Sequence, residues 1–171
     1  LYGQAGNGTI SGFSNPVAVS GSYLFKQISV GYHHTCALDT IGLAHCWGEN
    51  VIGQLGDGTA ISCSSPIQIG GSWSTISAGA GYLTLGIKTN GLLYIWGYDV
   101  NNLVSVFNSP LAGSYSSPVL VGTDSWSQIS TTSGWSVALR SDGAIFSWGN
   151  STGIGEFGTG KPSTRQLITQ I

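Results

Sequence analysis

Short apolar stretches run the length of this 171-residue chain, each broken within a few positions by Gly, Pro, Ser or Asn. Leu92-Leu93-Tyr94-Ile95-Trp96 is typical, β-branched and aromatic and about five residues long, as strands usually are. Leu38-Asp39-Thr40-Ile41-Gly42-Leu43 and Leu139-Arg140-Ser141-Asp142-Gly143-Ala144 place apolar residues on both sides of a polar turn with Gly, which is a hairpin signal. Gly and Pro break every window long enough for a helix of about ten residues. The pattern predicts an all-β protein made of short antiparallel strands.

The pattern repeats. Trp-Gly occurs at Trp47-Gly48, Trp96-Gly97 and Trp148-Gly149, with Gly42, Gly91 and Gly143 upstream of each. An aromatic-x-x-Ile-Ser signature recurs at Phe25–Ser29, Trp73–Ser77 and Trp126–Ser130. Pro followed by an aliphatic residue recurs at Pro16-Val17, Pro66-Ile67 and Pro118-Val119. The loop Gly3-Gln4-Ala5-Gly6-Asn7-Gly8-Thr9 returns as Gly53-Gln54-Leu55-Gly56-Asp57-Gly58-Thr59 and more loosely from Gly153 to Thr159. In the second repeat, Tyr98–Ser117 replaces it. A period near 50 residues with several strands suggests propeller blades. The expected division of a single repeat domain, 1–171, is the end of a repeat at 1–24, repeats at 25–72 and 73–125, and an incomplete one at 126–171. With no Met and a start at Leu1, the chain reads as a processed product or a piece of a longer one.

The run Ile28-Ser29-Val30-Gly31-Tyr32-His33-His34-Thr35-Cys36-Ala37-Leu38, then Gly42, Cys46-Trp47-Gly48-Glu49-Asn50 and Gly53–Thr59, resembles the regulator of chromosome condensation repeat. The resemblance implies a β-propeller with blades of four antiparallel strands, usually seven blades. This chain holds about three, a partial propeller. The best-known member of that family is a nuclear nucleotide-exchange factor that docks on nucleosomes, but the repeat is also common in secreted bacterial and bacteriophage proteins. Ser64-Ser65-Pro66-Ile67, Ser116-Ser117-Pro118-Val119 and Trp126-Ser127-Gln128-Ile129-Ser130 resemble the bacterial and phage members. Neither a basic tail nor an arginine-bearing loop of the nuclear factor is present.

Composition narrows the function. Only 7% of residues are charged and the net charge is -2, which argues against a nucleic-acid surface. No apolar run reaches the ~20 residues of a membrane span. Cys36 and Cys46 stand at equal distances from the turn and would oppose each other across a hairpin, as would Leu85 with Ile95 and Val137 with Ser147. A disulfide, or two buried thiols, fits that pair. A disulfide would point to an oxidising compartment or a virion surface. Cys63 reads as a lone thiol in a loop.

No catalytic residue or cofactor site stands out, and no metal site is expected. There is no Gly-x-Ser-x-Gly elbow, phosphate loop or Cys-x-x-Cys. His33 and His34, being adjacent, would point to opposite faces of a strand. Trp47, Trp73, Trp96, Trp126 and Trp148 fall at equivalent places and read as core aromatics. Tyr32, Tyr82 and Trp135 vary between repeats and could line a rim that stacks on sugars. Asn7-Gly8-Thr9 and Asn150-Ser151-Thr152 are glycosylation acceptor patterns in expected loops.

These readings lead to a non-enzymatic structural or adhesive module, extracellular or on a virion, that assembles with further repeats or with copies of itself, as a ring or a filament. A glycan- or receptor-binding propeller is the alternative. Nuclear exchange or chromatin docking fits less well.

Overall fold

The computed structural model describes residues 2–99, 113–150 and 165–170. Its regular elements are all strands: β1 (Phe25–Val30), β2 (His34–Asp39), β3 (Ala44–Gly48), β4 (Cys63–Ile69), β5 (Trp73–Ala78), β6 (Leu83–Lys88), β7 (Leu92–Asp99), β8 (Gly113–Thr131), β9 (Trp135–Arg140), β10 (Ile145–Asn150) and β11 (Arg165–Gln170). All pairings are antiparallel between neighbours in sequence.

β1 to β4 form one four-stranded blade, whereas β5 to β11 form a continuous seven-stranded sheet. The difference lies in the connections. Between β4 and β5 the chain turns at Gly70-Gly71, with Gly71 at φ 105. The equivalent Gly122-Thr123-Asp124 also reads as a turn, and Gly122 does take φ 66, but here it makes only an irregularity within β8, between Leu120 and Ser125 in the pairing with β7. β8 therefore serves two blades, pairing with β7 through Gly113–Leu120 and Ser125, and with β9 through Trp126–Thr131.

The hairpin register is the expected one. Cys36 opposes Cys46, Leu85 opposes Ile95 and Val137 opposes Ser147. Two apolar clusters hold the blades face to face. In the first, Cys36, Leu38, Ala44 and Cys46 meet Trp73, Ile76 and Trp96 of the next blade. In the second, Leu85, Ile87, Leu93 and Ile95 meet Trp126, Ala138 and Trp148. All five repeated tryptophans are at most 3% exposed.

The glycine-rich loops staple one blade to the next. Gly58 N–H donates to the Ser116 carbonyl at 2.7 Å, and Gly8 N–H donates to the Ser64 carbonyl at 2.9 Å. Gly56, at φ 79, lies so close to the Trp96 indole that a Cβ there would sit 2.6 Å from its nitrogen. The N-terminal loop thus sits on Trp47 as the tail of a preceding repeat would.

Candidate functional site

The blade junctions and one loop cluster hold the chemistry. Each blade carries three rings in one arrangement. Phe25 meets His45 at 5.7 Å and Trp47 at 6.1 Å. Trp73 meets Tyr94 at 5.7 Å and Trp96 at 5.3 Å. Trp126 meets Phe146 at 5.5 Å and Trp148 at 6.3 Å. A charged residue completes each set. Asp39 Oδ2 lies 3.2 Å from His45 Nε2, Lys88 Nζ lies 4.2 Å from the Tyr94 ring, and the Arg140 guanidinium lies 4.8 Å from Phe146. Burial pushes the Asp39 carboxyl up, but donors from the Leu43 amide, His45 and the Ile41 amide outweigh it and leave the pKa below the ordinary value.

Cys36 and Cys46 form the disulfide, with Cα atoms 4.1 Å apart and both residues fully buried. Cys63 is a half-buried free thiol, and it stands in β4 rather than in the expected loop. Polar bridges reinforce the first junction. Gln27 Nε2 donates to Thr75 Oγ1 and the Ile76 carbonyl, and the Ala78 amide donates to Ser29 Oγ. Ser77 repeats the last of these at the second junction by accepting from Thr131 N–H. Thr84 Oγ1–H donates to the Gln54 carbonyl at 2.8 Å, so His34 donates to Thr84 through Nε2–H at 2.9 Å, which fixes its tautomer. Burial, aided by the neighbouring His33, lowers the His34 pKa to about 4.

The two outer faces are open. Leu24, Ile28 and Val30 of the first blade are 75%, 65% and 66% exposed. On the far side, Gln128, Ile129, Ser130, Val137, Leu139 and Ile145 line a surface cavity of ≈ 220 Å³.

A separate aromatic corner forms where the β1–β2 turn, the β5–β6 turn and the N-terminal segment meet. Tyr32 meets Tyr82 edge to face at 5.7 Å. His33 lies 4.2 Å from Tyr32 and 4.9 Å from Tyr2. Behind it, Glu49 Oε2 is 3.1 Å from His33 Nδ1. Tyr82 holds its place at φ 63, the one non-glycine residue with positive φ among those described. The structure therefore joins Tyr32 and Tyr82. Trp135 instead opens β9 in the third repeat, opposite Gly149. Sequence reading missed Tyr2 and Glu49, whose neighbours are distant in the chain.

Asn7 lies in an Asx turn, its Oδ1 accepting from Thr9 N–H and Oγ1–H. Asn150 is not in the expected loop: it ends β10, opposite Arg165, because pairing with β11 extends the strand. Ser151, Thr152 and the loop copy at 153–159 lie outside the described residues. Among the described residues, no three His, Cys, Asp or Glu residues gather as a metal site.

Residues 25–54 and 42–85 match family models described as the Regulator of chromosome condensation (RCC1) repeat. Human WBSCR16 is similar in structure, at 22% identity over 99% of this chain and 45% of that one, with a TM-score of 0.75. Prp20p from Saccharomyces cerevisiae, described with its binding to Gsp1p and histones, is 22% identical over 86% of this chain and 38% of its own, at a TM-score of 0.68. The ectodomain of the receptor kinase CR4 from Physcomitrella patens is 18% identical over 92% of this chain and 38% of its own, at 0.56. At these identities the likeness shows the fold. The chain spans less than half the length of these structures.

Proposed function

We propose, from the premise that residues 25–85 belong to the regulator of chromosome condensation repeat family, that this chain is a non-catalytic propeller segment whose work is assembly and partner binding. The occupant of its open faces is a further blade of the same repeat. One observation carries this reading. Gln27 and Ser29 clamp the second blade, and Ser77 clamps the third, while their equivalents Gln128 and Ser130 stand exposed. The last blade thus presents the same fastening set to an empty side. Ile28, the equivalent of buried Ile76, is bare on the other.

The buried Cys36–Cys46 bond favours an oxidising compartment, hence an extracellular or virion-surface setting. A receptor-kinase ectodomain among the similar folds agrees with that setting. Protein partners are in keeping with a fold that Prp20p uses towards Gsp1p and histones. Light scattering on the native protein tests the proposal. Particles containing more than three blades, in one chain or several, are expected. A soluble particle of a single three-blade unit would overturn it.

A further inference from the structure

The aromatic corner is independent of the blade faces and has its own chemistry. Two walls stand at right angles, Tyr32 against Tyr82 with an interplanar angle of 81°. Tyr32 is 59% exposed and Tyr2, across His33, is 39% exposed, so ring surface is open to solvent. Glu49, whose side chain is 7% exposed, lies behind them. Its one ion pair among the described residues is with His33, which leaves the carboxylate charge uncompensated whenever that imidazole is neutral. Lys88 is engaged elsewhere, with Trp73 and Tyr94, and so is Arg140, with Asp142, Asp124 and Phe146.

Two further observations agree. Tyr82 takes φ 63, a left-handed conformation that bulky side chains seldom adopt, and its ring meets Tyr32 and His33. Desolvation first, then the neighbouring Glu49, Tyr32 and Tyr2, also raises the Tyr82 pKa above its ordinary value.

We propose that the corner of Tyr2, Tyr32, His33 and Tyr82, backed by Glu49, receives a cationic side chain, ammonium or guanidinium, from a partner protein. A cation over a ring face is attracted by the ring quadrupole, and a carboxylate beneath adds a direct charge term. A neutral polyol could donate hydroxyl hydrogen bonds to the carboxylate but would lack both the ion-pair and the cation–ring attraction.

The test is a titration of the native protein at pH 8 and low salt, followed by NMR of the tyrosine rings. The probes are Nα-acetyl-arginine amide, its neutral isostere Nα-acetyl-citrulline amide, Nα-acetyl-lysine amide and methyl glucoside. The cationic probes should shift the Tyr2, Tyr32 and Tyr82 resonances saturably, and citrulline should bind about tenfold more weakly. Tyr32→Ala, at an exposed position, should weaken arginine binding about three- to fivefold. Glu49→Gln should weaken it more, with unchanged spectra elsewhere reporting an intact fold. Equal binding of citrulline and arginine would overturn the proposal. So would no response to any cation, stronger binding of methyl glucoside, or undiminished binding by Tyr32→Ala.

Discussion

Ile28 and Ile76 occupy the same place in successive repeats, yet the first is 65% exposed and the second 1%. The local sequence is alike in both, aromatic-x-x-Ile-Ser on the first strand of a blade. What differs is the neighbour. Ile76 packs against Cys36, Leu38, Ala44 and Cys46 of the preceding blade, and Ile28 has no such blade before it. The other end shows the converse. Ala44 and Leu93 are fully buried by the blade that follows, while their equivalent Ile145 is 41% exposed. Burial in this molecule is decided between repeats rather than within them.

The largest effect is expected at the shared junction. Trp96→Ala should cost about 3–5 kcal/mol in urea unfolding, since it empties the space between two blades. A near-neutral result would show that the junction is loose. The isoleucine pair sharpens the contrast. Ile76→Ala should cost about 2–5 kcal/mol. Ile28→Ala in the lone three-blade unit should stay within about 0.5 kcal/mol. Equal losses would mean that the open face is covered after all.

A pH series separates the polar side of the junction from the apolar side. His34 has a lowered folded pKa, so the unfolded chain binds more protons between about pH 6.5 and about 4. Stability should fall as pH drops through that window, by about 3 kcal/mol in all, and level off for this group below it. His34→Leu, copying Leu83, should flatten the slope. The lowered Asp39 pKa has a different window. Its contribution is present above the ordinary carboxylate pKa and is lost as pH falls through the folded value, so it should survive in His34→Leu. A smaller change is expected on reduction. Opening Cys36–Cys46, ten residues apart, should cost about 2–3 kcal/mol by the loop-entropy argument, and mass spectra with and without reductant identify the bond.

Much of this was legible in the sequence, for a physical reason. A two-strand hairpin with a Gly turn has its register set locally, so the opposition of Cys36 and Cys46 follows from counting outward from the turn. The repeated tryptophans could be read the same way. The continuity of β8 could not, because Gly122-Thr123-Asp124 has turn composition and only the pairing of the flanking segments with β7 and β9 makes one strand of the two sides. The aromatic corner was half legible. Tyr32 and Tyr82 stood out as departures from the repeat, whereas Glu49 joins them by continuing the β2–β3 register past His34–Gly48, and Tyr2 by the return of the N-terminal loop onto this blade. The Asp39–His45 pair was hidden too. Its equivalents, Lys88 with Tyr94 and Arg140 with Phe146, use a different interaction at the same place.

Electron microscopy of the native particle tests the central claim most directly. Rings or stacks of more than three blades, with both outer faces of this segment covered, are the expected result. Isolated three-blade particles with Ile28 and Val30 facing solvent would contradict it.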